Sequence, residues 1–357
     1  MSSTTNPGSS DSTARRLTIV IVTWNVRDYL GDCLRSLQIA GVPGWAEVVV
    51  VDNASTDGSA DMVAREFPFA TLVRSEVNLG FTRGNNLAMR SAATSYVLLL
   101  NPDTLVPPGA LEALVSAMDD DPSLGVSGPR QLDRDGRTQL EGAVAQPTVW
   151  NALCDLALLS RFFPTSRLFS RRTMGWWDHA DDRDVPGIAG SAMLLRRAAL
   201  DRVGLLDETM FCAEDMDLCR RIRTAGWRVR YFGSVAITHF GGASIKRSDA
   251  ALQRQIAYQS FWLYLRKHDG RVTAGLMTVG VVTISLAGWI ATGVLGLIPG
   301  WPAGAAETLR KYRRLAAALM QWGVMDKRQF RHALAAPPSI PAPTLASAID
   351  PSGRSTP

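Results

Sequence analysis

The sequence predicts an α/β fold with a parallel β-sheet, followed by an apolar helical segment. From Leu17 onward, strand and helix patterns alternate, and the first strand pattern, Leu17–Thr23, is a continuous β-branched run. Runs of this kind are typical of parallel strands that are buried on both faces of a sheet. The alternation of strand and helix patterns predicts a sheet that is covered by helices on both sides. The later segment differs in kind, because no charged residue occurs between Arg271 and Glu307.

The strand and helix patterns can be placed in order along the chain. The predicted strands are residues 17–23, 47–51, 70–74, 95–100, 187–196 and 229–239. The clearest helix patterns lie at 30–37, 62–67, 85–92, 111–118 and 215–225, and residues 131–184 are less regular. Ligands bind beyond the carboxyl ends of the strands in such sheets. Asp52 and Asp103, each just past a predicted strand, are therefore candidate site residues.

Composition and charge limit the classes of partner. With 357 residues, the chain is long enough for one large domain or for one domain with an appendage. The net charge of +5 is mild, and the arginine pairs at 171–172 and 220–221 are of a kind that holds phosphate groups or anionic lipid heads. They lack the aromatic interleaving of a nucleic-acid groove, so no nucleic acid is expected as a partner. The four cysteines show no metal-type spacing, which favours reduced thiols in a cytosol-facing domain.

Four regions are predicted from these patterns. Residues 1–14 form a disordered tail, 15–268 the α/β domain, 269–335 a hydrophobic and amphipathic helical segment, and 336–357 a second disordered tail. About 20 apolar residues suffice to cross a bilayer, and the glycines of the third region are typical of membrane helices. Basic residues flank both ends, so the sequence does not decide whether the segment around 272–298 spans, re-enters or lies on the membrane. The alternative is a buried helical hairpin in a homo-oligomer.

Carboxylates at the ends of the predicted strands and at a helix start have three chemical uses. Asp103 has the setting of a ligand for a hard divalent cation, and Asp52 can accept hydrogen bonds from a ribose or a base. Asp215 can accept a proton from a reacting hydroxyl. Each has a structural alternative: Asp103 can form an Asx-turn, and Glu214 with Asp215 can favour the positive end of the following helix.

Seven motifs occur in order over residues 17–267: VTWNVRDYLGDCLRSL, VVVVDNASTDGS, NLGFTRGNN, YVLLLNPDT, GSAMLLRR, GLLDETMFCAEDMDLCRRIRTAGW and ITHFGGAS. Together they resemble the motif set of family 2 glycosyltransferases, which are inverting enzymes with the Rossmann-like GT-A fold. Within that family the sequence is most similar to the rhamnosyltransferase-like branch of cell-surface polysaccharide enzymes. The resemblance implies transfer of one sugar from a nucleotide-diphosphate donor to a hydroxyl group of a cell-surface glycan or lipid-linked acceptor. The Gln-x-x-Arg-Trp motif of processive synthases is absent, which favours single-sugar transfer.

The resemblance also implies a role for individual residues. Those expected to bind the donor nucleotide are Thr23, Asn25, Asp52, Asn53, Ser55, Asn78, Gly80, Phe81 and Asn85. Asp103 matches the metal-binding position of the family's Asp-x-Asp motif, which implies Mg²⁺ or Mn²⁺, although Asn101 replaces the first aspartate. Asp215 matches the general base, with Glu214 beside it. His239 resembles a histidine that completes the metal or diphosphate site; its alternative is a strand-end histidine with purely structural hydrogen bonds.

The acceptor side is expected in the irregular middle of the chain. Trp176, Trp177 and His179 are candidates because tryptophan rings stack on sugars, and their alternative is a role as core anchors. The apolar segment beside the predicted domain suggests a polyprenyl-linked acceptor and a site at the cytoplasmic face of the plasma membrane.

Other functional classes fit less well. No G-x-G-x-x-G follows a strand and no P-loop motif occurs, which argues against a dinucleotide oxidoreductase and a P-loop enzyme. The remaining alternative is a non-catalytic nucleotide-sugar-binding or scaffold member of a polysaccharide assembly complex. It predicts loss of the acidic positions, whereas Asp52, Asp103 and Asp215 are all present.

Overall fold

A computed structural model describes residues 15–210, 212–241 and 250–295. Its strands are β1 (Leu17–Thr23), β2 (Ala46–Asp52), β3 (Ala70–Arg74), β4 (Tyr96–Leu100), β5 (Thr104–Leu105), β6 (Leu124–Leu132), β7 (Ala143–Val144), β8 (Arg183–Asp184), β9 (Gly187–Ile188), β10 (Ala192–Arg196) and β11 (Arg228–His239). Its helices are α1 (Arg27–Ile39), α2 (Ser59–Glu66), α3 (Gly80–Ser91), α4 (Ala110–Asp120), α5 (Val149–Leu156), α6 (Leu159–Phe162), α7 (Arg197–Val203), α8 (Glu214–Thr224), α9 (Ala250–His268) and α10 (Gly270–Leu295). The predicted tails and residues 296–335 lie outside the described residues.

A single large sheet organises the domain, in the strand order β3-β2-β1-β4-β10-β6-β11-β5, with β8 paired to β11. The first four strands are parallel, and Thr23 at the end of β1 lies beside Asp52 at the end of β2. The strand predictions for 17–23 and 70–74 are confirmed to the residue.

The predicted parallel sheet is parallel only in part, because β10 runs antiparallel to both β4 and β6. The strand predicted over 187–196 is also divided, into β9 and β10. The intervening residues 189–191 lie at the carboxyl end of β4, where the Asn101 N–H donates to the Ser191 carbonyl at 2.9 Å. Since β10 begins at that edge, it can only run back through the sheet in the opposite direction.

The two faces of the sheet form separate cores. Along β1, Leu17, Ile19 and Ile21 pack on one side with α1, α2 and α4. Val20 points to the other side, which holds residues of α3, α7 and α8. This alternation follows from the two-residue period of a strand. It confirms that helices cover both faces of the sheet.

A third core joins α5, α9 and α10 to the start of α8. Ala274, Met277 and Val281 of α10 are fully buried in it, and Met216 of α8 is nearly so. A side chain at Gly280 would lie 2.7 Å from Leu153 Cδ1 of α5, so glycine permits this close packing. Among the described helices, one stretch, 270–288 within α10, is long and apolar enough to cross a membrane. One side of this stretch nevertheless packs against the protein.

Asp217 connects the end of α9 to α8. Its carboxylate is fully buried and accepts hydrogen bonds from Arg221 Nε at 2.8 Å and from His268 Nε2 at 2.7 Å. Lys267 Nζ lies 2.7 Å from the same carboxylate. A buried carboxylate is stable only when its charge is compensated in this way. The cluster therefore holds the α9–α10 hairpin against the sheet domain.

We expect Asp217→Asn to lower the free energy of unfolding by about 3 kcal/mol, because the partly buried Arg221, Lys267 and His268 lose the buried carboxylate that they share. Urea denaturation followed by circular dichroism measures the change. The control is Asp61→Asn, which breaks an ion pair to Arg74 whose side chains are 73% and 54% exposed. That change should remove about 0.5 kcal/mol or less. Equal losses in the two variants would contradict the anchoring role of Asp217.

Candidate active site

The first part of the site lies where β1 and β2 end. Asp52 is buried, and its Oδ2 accepts a hydrogen bond from the Ser55 N–H at 3.1 Å. The Asn25 N–H donates to Ser55 Oγ at 3.0 Å, and Asn25 Oδ1 accepts from the Thr56 N–H at 2.7 Å. The loops after the two strands are thus tied to each other. The structure brings Asn25, Asp52 and Ser55 together as the motifs predict.

Three buried oxygen atoms at this edge have no hydrogen-bond partner among the described residues. They are Thr23 Oγ1, Asp52 Oδ1 and Asn53 Oδ1. Buried polar atoms are nearly always paired in folded proteins, so a group of orphans at the end of two neighbouring strands requires an explanation. A polar ligand that donates hydrogen bonds, such as a nucleoside, would satisfy them.

The start of α3 continues this surface. Asn78 Oδ1 accepts from the Gly80 N–H at 2.8 Å, and Asn53 Nδ2 donates to the Gly80 carbonyl at 3.2 Å. Gly80 has a φ of +76°, a left-handed conformation that glycine adopts without strain. Asn85 Nδ2 donates to the Phe81 carbonyl one turn earlier at 2.9 Å, so Asn85 braces this helix start.

Asp103 and His239 form the second part of the site. The pairing of β5 with β11 places His239 opposite Thr104, next to Asp103. His239 Nε2 lies 3.4 Å from Asp103 Oδ1 and 3.4 Å from Asn101 Nδ2. The structure therefore joins two residues that are far apart in sequence and that the motifs predict as metal ligands.

Gln139 fixes the orientation and the tautomer of His239. Gln139 Nε2 donates to the His239 carbonyl at 2.6 Å, which turns Gln139 Oε1 toward the ring. The His239 Nδ1–H then donates to that oxygen at 2.9 Å. In the neutral ring Nε2 is therefore a lone-pair donor, and it faces a carboxylate oxygen. Two electron-pair donors in this arrangement suit a shared cation or proton.

The donor set of Asp103 and His239 fits a divalent cation in part. Oxygen and imidazole ligands suit Mn²⁺, and a histidine held through its second nitrogen is usual at metal sites. Within the described ranges, no group of three or more His, Cys, Asp or Glu side chains converges on one point. An ion at this position would take its other ligands from water and from a bound diphosphate.

Glu214 and Asp215 form the third part, at the first turn of α8. Asp215 Oδ2 accepts from the Gly190 N–H at 3.1 Å, and Oδ1 accepts from the Met216 N–H at 2.8 Å. Glu214 Oε2 accepts from the Ala213 N–H at 2.9 Å. Burial raises the pKa of both carboxyl groups, and the nearby charge of Asp215 raises that of Glu214 further. A carboxylate that only stabilises a helix N-terminus usually lies in water and has a lowered pKa. Glu214 and Asp215 are buried and have raised pKa values, which suits them to proton transfer.

Residues 189–191 connect the three parts. Gly190 contacts Asp215 through its N–H, and a side chain at Gly190 would lie 3.0 Å from Phe81 Cζ. The next residue, Ser191, binds the backbone of Asn101. Glycine at position 190 therefore allows the Phe81 ring and Asp215 to approach the same point.

A cavity of about 620 Å³ opens beside this point. Its polar lining includes Asn101, Glu214 and Asp215, together with Glu141, Asp155 and Arg172. Most of its remaining lining is apolar and comes from β7, α5, α9 and nearby loops; its members include Val144, Pro147, Ala152, Leu156, Leu158, Tyr258 and Phe261. The arrangement can hold a substrate with a hydroxyl at the carboxylates and an apolar portion against these side chains.

The three predicted acceptor residues do not line this cavity. Trp177 and His179 are buried in the core, their rings stacked at 4.1 Å, and Tyr231 packs edge-on against both. Burial lowers the pKa of His179, whose Nε2 donates to the Thr173 carbonyl. Trp176 is partly buried against the same core. This placement favours the core-anchor alternative for the group.

The motifs did not single out two residues that the geometry makes important. Gly190 lies inside the GSAMLLRR motif, and its contacts with Phe81 and Asp215 explain why that motif begins with glycine. Gln139 lies in an irregular stretch and contacts His239 across 100 positions of sequence. No local pattern marks such a residue.

Comparison with known proteins identifies the family. The family model described as glycosyltransferase like family 2 matches residues 14–257. The chain is 28% identical over 267 residues to the N-acetylglucosaminyl-diphospho-decaprenol L-rhamnosyltransferase of Mycobacterium tuberculosis, covering 71% of this chain and 85% of that protein. It is 30% identical over 224 residues to a succinoglycan biosynthesis protein of Rhizobium meliloti, covering 60% and 59%.

A solved structure agrees with the fold. The mannosyltransferase of Pyrobaculum calidifontis, in complex with GDP-Man and Mn²⁺, superimposes with a TM-score of 0.50 at 18% identity, covering 88% of this chain and 90% of that one. This confirms the predicted GT-A fold and the resemblance stated from the motifs. The chain belongs to the glycosyltransferase-like family 2 and is a glycosyltransferase.

Proposed function

We propose that this glycosyltransferase transfers one sugar, rhamnose, from a nucleotide-diphosphate donor to a hydroxyl group of a polyprenyl-diphosphate-linked N-acetylglucosamine. The relative from Mycobacterium tuberculosis, named for that acceptor and that sugar, supports this choice. The observation that carries the proposal is the cavity itself, whose lining combines a buried carboxylate pair with a large share of apolar side chains.

The donor binds where the orphan oxygens of Thr23, Asp52 and Asn53 lie. A nucleoside supplies N–H and O–H donors to these acceptors, which removes the cost of leaving them buried and unpaired. Gly80 lets the donor approach the backbone at the start of α3, and the next residue, Phe81, lines the cavity and lies against Gly190. The remaining donor residues, Asn25, Ser55, Asn78 and Asn85, hold these loops in place.

Asp103 and His239 would hold a divalent cation, Mg²⁺ or Mn²⁺. When bound there, the ion supplies charge that neutralises the diphosphate leaving group. Asn101 stands beside His239 and adds a neutral group where the family's motif has a second aspartate. The chain's own contribution is to orient both ligands: the β5–β11 pairing sets their separation, and Gln139 directs the histidine nitrogen.

Asp215 is the general base. The acceptor oxygen forms a bond to the anomeric carbon from one face while the bond to the nucleotide diphosphate breaks on the other, which inverts the configuration. The proton of the acceptor hydroxyl passes to Asp215, and the electron pair of the broken bond leaves with the diphosphate. A raised pKa makes Asp215 a better proton acceptor than an ordinary carboxylate. Glu214 positions this end of α8 through the hydrogen bond that it accepts from the Ala213 N–H.

A lipid-linked acceptor places the enzyme at a membrane. The apolar cavity wall is built from α5 and α9, which pack against α10, so the acceptor cavity and the apolar helix share one core. We therefore propose a location at the cytoplasmic face of the plasma membrane. The domain division at residues 268–269 and the formation of a homo-oligomer stay predictions.

Purified full-length protein with a panel of nucleotide-diphosphate sugars, including rhamnose donors, tests the proposal. The acceptor is N-acetylglucosaminyl-diphospho-polyprenol in detergent, with Mg²⁺ or Mn²⁺. We expect mass spectrometry to find one added deoxyhexose with a rhamnose donor. Metal-dependent nucleotide binding without transfer or hydrolysis of any donor would instead favour the non-catalytic alternative.

We expect Asp215→Asn to lower kcat by about 100- to 10,000-fold, the usual contribution of a general base, with the donor Kd largely unchanged. Asparagine keeps one acceptor oxygen, which can serve either the Gly190 or the Met216 N–H, so the substitution removes one of the two hydrogen bonds and leaves the shape of the side chain unchanged. Steady-state kinetics and isothermal titration with nucleotide diphosphate measure the two effects. Glu214→Gln is the matched variant and should retain more activity. A larger loss in Glu214→Gln would assign the role of base to Glu214.

The raised pKa of Glu214 predicts a pH-dependent gain in stability for Glu214→Gln. The folded state holds this proton more tightly than the unfolded state, so ionisation opposes folding as the pH rises through the folded pKa. The variant should therefore have a higher Tm than the wild type at about pH 8 and an equal Tm at about pH 4, where both states are protonated. The difference amounts to about 1.4 kcal/mol for each unit by which the pKa is raised. The exposed Glu66, changed to Gln, is the control and should show no such trend.

Gln139→Ala should weaken metal binding. Loss of a group that orients a ligating histidine typically costs about 10- to 100-fold in metal affinity. We expect the Mn²⁺ concentration for half-maximal activity to rise by that factor, with activity approached again at high Mn²⁺. Gln38→Ala, an exposed position on α1, is the control. Unchanged metal dependence in Gln139→Ala would remove His239 from the metal site.

A further inference from the structure

The segment that follows α5 has an unusual charge pattern. Between Asp155 and Asp178 the chain has no acidic residue but contains the arginines at 161, 167, 171 and 172. Arg172 is paired with Asp155 through Nε. Arg161, Arg167 and Arg171 are exposed, and within the described residues they form no ion pair. The segment therefore presents uncompensated positive charge to its surroundings.

The same segment exposes large apolar side chains. Phe162 is 71% exposed, Phe163 50% and Leu168 52%. Trp150 Nε1 of α5 donates to the Leu168 carbonyl at 2.8 Å, and the rings of Phe163 and Phe169 lie 5.3 Å apart. We call these five residues the aromatic platform. Internal contacts hold it in one shape, and clustered apolar exposure of this kind marks an interaction surface.

The outer face of α10 is a second apolar surface. Its exposed side chains lie three or four residues apart, which puts them on one face of the helix: Val272, Leu276, Val279, Val282, Leu286 and Ile290. The inner face packs against α5 through Gly280 and Leu153. Since α5 also carries Trp150, a single helix joins α10 to the aromatic platform.

We propose that the aromatic platform and the outer face of α10 dock together on an anionic lipid bilayer, with α10 lying in the plane of the interface. Phe162, Phe163 and Leu168 enter the boundary between head groups and acyl chains. Arg161, Arg167 and Arg171 bind lipid phosphates. This is the combination of apolar and basic groups that interfacial segments use.

The packing of α10 decides against a bilayer crossing. Ala274, Met277 and Val281 share a core with Ala213 and Met216, which flank the catalytic carboxylates. A crossing α10 would carry the start of α8 toward the hydrocarbon, where charged groups are strongly unfavourable. In the interfacial orientation, only the outer face of α10 meets lipid and the cavity stays beside the head groups.

The positive charge beside the aromatic platform favours an anionic bilayer over a second copy of the chain as its partner. A symmetric dimer through the platform would bring two sets of the same three arginines together, and like charges repel. An anionic membrane surface is complementary to them. The purpose of this docking, access to a lipid-linked acceptor, rests on the proposed function, but the docking itself requires no sugar chemistry.

Site-specific fluorescence in vesicles tests the orientation. Phe162→Cys and Val279→Cys are each introduced into full-length Cys212→Ser protein, labelled with an environment-sensitive NBD group and mixed with vesicles of phosphatidylglycerol and phosphatidylcholine. We expect blue-shifted emission at both positions and stronger quenching by spin labels near the lipid carbonyls than at the bilayer centre. Ile39→Cys is the control, an exposed apolar position on α1 at the other face of the sheet, and should not respond.

Three results would overturn the proposal. Strongest quenching of position 279 by labels at the bilayer centre would mean that α10 crosses the membrane. No response of position 162 to vesicles would remove the aromatic platform from the membrane contact. Shielding of position 162 that depends on protein concentration and not on lipid would identify a second copy as its partner. None of these results depends on transferase activity, so they are distinct from a failure of the proposed function.

The arginines are tested by a triple variant. We expect Arg161→Gln, Arg167→Gln and Arg171→Gln together to weaken partitioning to phosphatidylglycerol vesicles by about 100-fold, with little effect on phosphatidylcholine vesicles. The matched control changes the exposed Arg65, Arg90 and Arg202 to Gln, which removes the same net charge from other surfaces. Equal losses in the two triple variants would contradict a specific role of the platform arginines.

Discussion

The withdrawal of two carboxylates from water at the start of α8 is the constraint around which the site is built. Glu214 and Asp215 keep raised pKa values because the third core and residues 189–191 exclude solvent from them. Their ionisation opposes folding, and the hydrogen bonds from Gly190 and Ala213 offset only part of that cost. Stability is thus reduced where chemistry needs a strong proton acceptor, as at many catalytic sites.

The geometry of the sheet explains how distant motifs meet at this pair. Parallel strands β1, β2 and β4 end at one edge, which collects Asp52 and Asn101. The antiparallel strand β10 begins at that same edge, so residues 189–191 join the end of β4 to Asp215. β11 returns alongside β5 and delivers His239 to Asp103. The second and third parts of the site therefore each depend on one strand whose direction or partner is set by long-range pairing.

Long-range pairing also marks the limit of what the sequence predicts. Continuous apolar strands such as Leu17–Thr23 and motif residues such as Asp52 are visible locally, and the structure places both where the pattern indicates. Strand β6 was not predicted because it lacks the usual run of β-branched residues. It contains Gly125 instead, where a side chain would lie 2.6 Å from Ile222 Cγ2, so close packing requires a glycine there. Gln139 is equally invisible, since its role exists only after β11 has brought His239 beside it. The sequence left the role of the tryptophan pair open for a different reason: the local sequence of an aromatic residue does not distinguish one that anchors a core from one that stacks on a sugar.

The pH dependence of kcat/KM reports the proton affinity of the catalytic pair in the free enzyme, so it decides whether Asp215 is the base. We expect activity to rise with pH through an apparent pKa above the ordinary range of a carboxyl group, and this rise to be absent from the residual activity of Asp215→Asn. A profile that is flat from about pH 5 to about pH 8, or a rise that survives in Asp215→Asn, would contradict it.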